Sequence, residues 1–310
     1  MVGYNGRKIS LKKRIVMNVL HKFYTMMLCS IVCFALIDAK EKVLIFTQVY
    51  NRPDFIELHA KTFKAFMQDE YEYVVFNDAN DPNMQYQIER TCSKLGIRCF
   101  KIPYNPDTRP GWRHIAGIKY SFETIGFDFD GIVMLVDSDM FLVKPFSANK
   151  YMEGYDLIGG ADSRENDRIK VSYLMPTLVF INMKTAPNKR TLNFYGGHVE
   201  GLPCDVGGHT YYYLKNNPTL RYRLFTYLSL QGLVDKNTSW LQALGFDDHS
   251  INFIRTTDYH YGFQFHAESY FMHYYAGGSN WPGYSQDYLH IKNVMLHNYI
   301  DTQMRNYHVS

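Results

Sequence analysis

Apolar runs and polar breaks alternate regularly along the chain from position 40 onward. Lys42-Val-Leu-Ile-Phe-Thr47 reads as a buried strand, a short continuous apolar run. Asn51-Arg-Pro-Asp54 carries helix-start chemistry, with Pro53 near the first helical position. Phe55 to Phe66 follows with helical apolar spacing. Tyr71 to Phe76 is a second strand and ends in Asn77-Asp78. Met84 to Leu95 is a helix closed by Gly96, and Ile97 to Ile102 is a third strand. A loop from Pro103 to Gly111 leads to a helix over Arg113 to Ile125, then to an apolar fourth strand, Gly131 to Val136. This alternation predicts an α/β fold with a mainly parallel sheet. Past residue 140 the pattern is more mixed. Asp156 to Gly159 and Leu178 to Ile181 read as short strands, and Thr210 to Leu214 as the start of a helix. No internal repeat or linker interrupts the chain, so the second half is expected to build around a site made by the first.

The first forty residues follow another rule. Lys12, Lys13, Arg14 and Lys22 precede an apolar run, Phe23 to Ile37, of 15 residues. That is shorter than the roughly 20 residues that span a bilayer and is the size of a signal-peptide core. Ala39 can close it, and Met17 can serve as its start. Joined to Ile15 to Leu20, the run becomes a signal anchor with its basic flank on the cytoplasmic side. A buried N-terminal helix is the remaining reading. The expected division is 1–39 as signal peptide or anchor, 40–290 as the folded domain, and 291–310 as a tail packed on it. Either targeting route sends the domain into the secretory pathway, out of the cell, or onto a membrane face. The sequon Asn237-Thr-Ser239 matters in a Golgi-like lumen.

Composition narrows the function classes. With 46% hydrophobic and 20% charged residues, a packed core forms and wholesale disorder is excluded. Thirty-three Lys and Arg against 30 Asp and Glu leave +3, too balanced for a dedicated nucleic-acid binder. A mean hydropathy of −0.29 excludes a multi-span membrane protein. Five cysteines do not make a disulfide scaffold. Cys29 and Cys33 lie in the leader. Cys92 and Cys99, near the end of one helix and in the next strand, either pair in an oxidising compartment or stand as thiols, as Cys204 does. Aromatic residues reach 16%, 26 of them Tyr, which suits sugar rings or reflects a genome's base composition.

The candidate chemistry sits in Ile132-Val-Met-Leu-Val-Asp137-Ser-Asp139-Met-Phe-Leu-Val. Two carboxylates end a buried apolar run. In an extended chain residues i and i+2 share a side, so Asp137 and Asp139 are expected to converge at the sheet edge where α/β folds bind ligands. Two like charges there repel unless a cation lies between them, and Mg2+ or Mn2+ suits such a pair. A turn-capping Asp beside a solvated one is the bland alternative.

This stretch resembles the Asp-x-Asp segment of GT-A-fold glycosyltransferases, and is similar to family 8, that of glycogenin and the lipopolysaccharide hexosyltransferases. Three further segments agree in order. Phe46-Thr47-Gln48-Val49-Tyr50 stands where that family holds the nucleotide base. Cys204-Asp205-Val206-Gly207, with Tyr212 and Tyr213 after it, resembles its Asp-x-Gly segment. Met272-His273-Tyr-Tyr-Ala-Gly277-Gly278-Ser279-Asn280-Trp281 resembles its closing His…Gly…Trp segment. The resemblance covers roughly residues 43–282. It implies a GT-A, Rossmann-like fold and an enzyme that transfers a hexose from a nucleoside-diphosphate sugar, a UDP-sugar first, with retention of configuration. It implies Mn2+ or Mg2+ held by Asp137, Asp139 and His273. Donor contacts would come from Thr47, Tyr50, Asp78, Arg113, Lys119, Ser138, Gly277 and Trp281. Arg113 or Lys119 would reach the diphosphate, with a solvated basic face as the alternative. Asp78 would meet ribose or base, or cap a turn. Two departures stand out: Met175-Pro176-Thr177 replaces an Asn-Ser-Gly before the acceptor-side strand, and Ser279 and Asn280 stand where a phosphate-binding Lys is usual. Donor phosphate contacts would then come from elsewhere.

Asp205 is the candidate for contacting sugar or acceptor, or it caps the helix that follows. Asp247 and Asp248 form a second acidic pair, either a base for an inverting reaction or a surface turn. The acceptor is a glycan, lipid or protein, with membrane contact through an uncleaved N-terminus. Two other classes compete: an inactive carbohydrate-binding protein on the same fold, and a nucleotidyltransferase, although no Gly-rich phosphate loop follows the first strand.

Overall fold

A computed structural model describes residues 40–106, 110–229, 238–243, 246–256, 263–274 and 286–307. The predicted leader, the sequon Asn237, Gly277 and Trp281 lie outside them. Among the described residues no helix is long and apolar enough to cross a membrane.

The first half alternates as expected: β1 (Lys42–Val49), α1 (Pro53–Phe66), β2 (Tyr71–Asn77), α2 (Pro82–Leu95), β3 (Arg98–Lys101), α3 (Pro110–Ser121) and β4 (Gly131–Val136). Each of these helices opens on a proline, whose missing N–H costs nothing in a first turn. Asp81 caps α2 by accepting from the Met84 N–H at 2.8 Å. After α3 the chain makes one wide turn, Phe122–Gly126, so the expected Arg113–Ile125 helix is shifted toward Pro110.

The second half follows as β5 (Met140–Leu142), α4 (Ala148–Tyr151), β6 (Leu157–Glu165), β7 (Lys170–Asn182), β8 (Gly197–Val199), β9 (Leu202–Cys204) and α5 (Thr210–Asn216). Then come β10 (Tyr222–Phe225), β11 (Leu228–Ser229), α6 (Thr238–Ala243), α7 (Asp248–Thr256), β12 (Gln264–His266), β13 (Phe271–His273) and α8 (Gln286–Asn306). The large sheet runs β10-β6-β7-β4-β1-β2-β3. Within it only β7 is reversed, antiparallel to both β4 and β6. The architecture is therefore the predicted α/β one, largely parallel with helices on both faces.

Burial explains why β1 and β4 read as continuous apolar runs. Val43, Ile45, Met134 and Val136 point into a core that contains Ile56 and Phe63 of α1 and Ile88 of α2. Leu44, Phe46, Val133 and Leu135 point into a second core with Ile118 of α3 and Leu214 of α5. A parallel strand covered on both faces has no polar side to show.

Two features extend beyond the sequence expectation. The strands at Asp156–Gly159 and Leu178–Ile181 are the inner ends of a long antiparallel ribbon, β6–β7. A second, four-stranded sheet runs β11-β12-β13-β5 and packs against α8 through Phe141, Met272, Tyr274, Leu296 and Tyr299. Helix α8 runs through the expected boundary at 290, and Glu41–Ser310 forms one unit.

Asp156 ties this half together. Its buried carboxylate accepts from Thr185 Oγ1 at 2.6 Å and from Arg221 Nη2 at 2.6 Å, Nε at 3.1 Å and the backbone N–H at 2.9 Å. Burial pushes its pKa up, but these donors outweigh it and bring it down to about 2. A depressed carboxylate stabilises the fold above its unfolded pKa near 4, and that contribution is lost as the pH falls toward about 2. Asp156→Asn is expected to cost about 2 kcal/mol at pH 7. Urea midpoints at pH 7 and pH 2.5 check this, since the gap between wild type and variant should narrow at the lower pH.

Candidate active site

The carboxyl end of β4 is where the chemistry gathers. Asp137 and Asp139 converge as the sequence implied, but not through strand alternation. The chain turns at Ser138, closed by the Met140 N–H donating to the Asp137 carbonyl at 3.1 Å, and leaves the large sheet for the small one. The Ser138 N–H donates to Asp137 Oδ1 at 2.9 Å, and the Asp137 N–H donates to the Thr177 carbonyl of β7 at 2.8 Å. The turn is thus held from both sides.

His273 arrives from the far end of the chain by strand pairing. β13 runs antiparallel to β5 with His273 opposite Met140, and the Tyr274 N–H donates to the Asp139 carbonyl at 2.7 Å. Backbone register therefore closes a separation of 134 residues, and His273 Nε2 lies 3.1 Å from Asp139 Oδ1. One ligand atom from each of Asp137, Asp139 and His273 lies within 4.8 Å of the others. Asp139 and His273 are buried, and Asp137 is half-buried.

The electrostatics of the cluster match its geometry. Burial pushes the Asp137 carboxyl up, His114 opposes this, and the Asp139 charge adds to the rise. His114 Nε2 stands 4.0 Å from Asp137 Oδ1. For His273 burial works downward, but Asp139 and Asp137 outweigh it and the net shift is upward. A carboxylate only accepts, so the contact to Asp139 needs a protonated Nε2 that donates. Two carboxylate oxygens and one imidazole nitrogen, converging from a buried turn and a buried strand, are a donor set for a divalent ion.

The nucleotide-side candidates form a second group at the ends of β1 and β2. Arg113 donates from Nε to Asp78 Oδ2 at 2.8 Å and from Nη2 to the Asp78 carbonyl and to Asn80 Oδ1, the latter at 2.9 Å. Its guanidinium lies 4.3 Å from the centre of the half-exposed Tyr50 ring. Burial raises the pKa of Asp78, and Arg113 offsets part of that. Arg113 is thus engaged with Asp78 and Tyr50. Lys119 is exposed and lies 3.7 Å from Glu123. Asp78, Arg113 and Lys119 share a cavity of about 330 Å3 with Ile102, Tyr120 and Tyr195. Thr47 is fully buried on β1, and its hydroxyl has no hydrogen-bond partner among the described residues.

Asp205 and Asp248 are not among the three residues that converge at the acidic turn. The Asp205 side chain accepts from the Val206 N–H at 2.7 Å, and its own N–H donates to the Tyr173 hydroxyl at 3.2 Å. It does not cap α5; Thr210 instead bridges Gly207 and Leu174 there. Asp248 is exposed at the start of α7 and accepts from Gln242 Nε2 at 3.0 Å. Its neighbour Asp247 accepts the Ser250 N–H at 2.7 Å, so this pair includes a helix-start turn. Cys92 and Cys99 are free thiols, as is Cys204.

Sequence reading misses three buried groups around the cluster. His59 of α1 packs edge-on to Phe141 and face-on to Tyr73, and burial takes its pKa down to about 4. Lys292 of α8 lies 4.1 Å from the Tyr274 ring centre; burial lowers its pKa to about 7, partly opposed by Asp139. His266 of β12 packs 5.3 Å from His273. His59 and Lys292 lie among other polar residues of their helices and His266 in an aromatic stretch, so nothing in the local pattern marks them as buried.

No protein-family model matches the chain, and a search of curated proteins found no match. Among solved structures the chain is similar to a mannosyltransferase from Pyrobaculum calidifontis in complex with GDP-Man and Mn2+. That match has 14% identity and a TM-score of 0.41, and covers 60% of this chain and 55% of the other. It is also similar to glucosyl-3-phosphoglycerate synthase from Mycobacterium tuberculosis, in complex with Mn2+, UDP and glucosyl-3-phosphoglycerate. There the identity is 14%, the TM-score 0.38, and the coverage 61% and 71%. A third match is S. aureus TarS 1-349, with 14% identity, a TM-score of 0.35 and 69% coverage of each chain. The chain spans little over half of the Pyrobaculum protein, and at these scores the functional reading rests on the residues of the site itself.

Proposed function

We propose that the chain is a divalent-metal-dependent glycosyltransferase of GT-A architecture. It transfers a hexose from a nucleoside-diphosphate sugar, a UDP-sugar first, to a glycan, lipid or protein acceptor with retention of configuration. It acts in the secretory pathway, at a membrane or outside the cell. The observation that carries this reading is the meeting of Asp137, Asp139 and His273 at the carboxyl edge of the sheet. Those three residues would hold Mn2+ or Mg2+, and the mixed oxygen and nitrogen set favours Mn2+. The bound ion would supply Lewis-acid neutralisation of the leaving diphosphate.

The protein's own part is positioning. Arg113 holds Asp78 and underlies Tyr50, so a stacking face and a buried carboxyl are fixed beside the 330 Å3 cavity. This suits a nucleobase and ribose. The two groups are linked through α3, since Arg113 faces Asp78 while His114 faces Asp137. A nucleotide lying across β1 would place its phosphates near the acidic turn.

The test is a panel of UDP- and GDP-sugars with purified protein and Mn2+, read by release of the free diphosphate. We expect turnover of at least one donor, abolished by EDTA and restored by Mn2+. Binding without turnover across donors and acceptors would favour the carbohydrate-binding alternative. Pyrophosphate formation from a nucleoside triphosphate and a sugar phosphate would favour the nucleotidyltransferase.

A further inference from the structure

On the side of the acidic turn away from Tyr50 and Asp78, a second group of buried polar atoms faces the cluster. His266 is 4% exposed, and neither of its ring nitrogens has a hydrogen-bond partner among the described residues. Antiparallel register fixes where it points. Gln264 pairs with His273 and His266 with Phe271, so His266 and His273 lie on one face of the small sheet. Their rings meet at 5.3 Å between centroids. The β12–β13 turn that sets this register is strained, with Ala267, Glu268 and Ser269 at φ of 49°, 51° and 66°.

Thr177 approaches the acidic turn from the large sheet. As β6 advances from Gly159 to Gly160, the pairing on β7 jumps from Val179 to Met175, leaving Pro176, Thr177 and Leu178 as a bulge. The bulge gives the Thr177 carbonyl to the Asp137 N–H and leaves Thr177 Oγ1 buried and unpartnered among the described residues. A Cβ built on Gly160 would lie 3.7 Å from that hydroxyl and 3.5 Å from the Phe225 ring. Phe225 and Tyr227 then pack on His266, Phe225 edge-on at 6.3 Å and Tyr227 face-on at 5.7 Å. Tyr227 is half-exposed. One hydroxyl and one imidazole, buried without partners, thus stand beside aromatic faces and next to the metal cluster. Leaving such groups unpaired is costly, so a ligand rich in hydroxyls is the natural complement.

We propose that Thr177 and His266 hydrogen-bond the hydroxyls of the transferred sugar, with Phe225 and Tyr227 as the apolar side of the same subsite. This rests on the glycosyltransferase reading and specifies which residues recognise the sugar rather than the nucleotide. It assigns a function to the Met175-Pro176-Thr177 stretch that departs from the family pattern.

The experiment measures dissociation constants with Mn2+ for UDP, UDP-glucose, UDP-galactose, GDP and GDP-mannose, on wild type, His266→Phe, His266→Gln and Thr177→Val. Thermal melts establish that each variant folds, and Thr177→Val, nearly isosteric, carries the test if His266→Phe does not fold. In wild type we expect one sugar nucleotide to bind more tightly than its bare diphosphate. We expect His266→Phe and Thr177→Val each to weaken that sugar nucleotide about tenfold, with the diphosphate unchanged. His266→Gln should recover part of the loss. Unchanged sugar-nucleotide binding in folded variants would overturn the proposal, as would equal loss of diphosphate and sugar nucleotide, which would place His266 in support of the metal site. If wild type binds the diphosphates but gains nothing from any sugar, the subsite is wrong while the nucleotide site stands. If it binds neither, the glycosyltransferase reading fails first.

Discussion

Asp139→Ala is expected to reduce Mn2+-dependent donor turnover by about a hundred- to a thousandfold, the loss typical of removing one preorganised charge-stabilising group from a reaction centre. Asp139 is chosen over Asp137 because three observations meet on it. It is 5% exposed, its side chain contacts His273, and its carbonyl takes the Tyr274 N–H at the end of β13. Under the proposed function the carboxylate would be an anionic ligand that neither water nor alanine replaces. Asp139→Asn separates charge from shape. It keeps a side-chain oxygen near His273 but removes the negative charge, so it should lose nearly as much activity while keeping the fold. Steady-state kinetics over a Mn2+ titration check this. The variants should need more Mn2+ and still reach a lower plateau. Wild-type turnover in folded Asp139→Ala would remove the basis of the functional proposal.

The same residues show what the sequence makes legible. Asp137 and Asp139 stand out because a strand buried on both faces ends abruptly in acid, and that contrast survives without coordinates. Strand alternation predicts their convergence, whereas the chain in fact turns at Ser138. The inference reaches the right place because a turn and a strand both bring residues i and i+2 within a few ångströms. His273 stands out only through a resemblance in its spacing to Trp281. The physical cause of its position, the pairing of β13 with β5, is not legible. Met140–Leu142 is only three residues long and continues the apolar run of β4, so nothing marks it as a strand of another sheet.

The β6–β7 ribbon is harder to see for a related reason. Its outer half, Ala161–Glu165 against Lys170–Leu174, is partly solvated, and Asp162 to Glu165 form a polar run. A search for continuous apolar runs finds only the inner, doubly buried half. His59, His266 and Lys292 are invisible because burial of a single polar residue is a tertiary fact. Arg113 is recognisable as a basic group on the helix before β4, but which way it faces depends on packing. The guanidinium turns to Asp78 and Tyr50.

Gly207→Ala is expected to destabilise the protein by about 3 kcal/mol or more, a large effect for one added methyl group. Gly207 has φ of +92°, and a Cβ built there would lie 1.8 Å from the Leu174 carbonyl oxygen and 3.3 Å from Pro176 Cδ. The first contact is with backbone, so no side-chain rotation relieves it. The segment cannot simply move away either. The Gly207 N–H donates to the Phe194 carbonyl at 2.7 Å, and the Gly207 carbonyl accepts from Thr210 Oγ1 at 2.7 Å. That hydroxyl in turn accepts the Leu174 N–H at 2.8 Å. The glycine is therefore clamped onto β7 at Leu174, two residues before Pro176 and the bulge that carries Thr177. Gly201→Ala is the control: φ is +83°, but nothing lies within 4 Å of its Cβ, so only the backbone strain of about 1 kcal/mol remains. Urea denaturation of the two variants should show a large drop in midpoint for Gly207→Ala, or recovery only in inclusion bodies, against a small drop for Gly201→Ala. Equal midpoints would mean that β7 can shift to admit a methyl group. The rigidity assigned to the Leu174–Leu178 stretch, and with it the fixed placement of Thr177 beside Asp137, would then be lost.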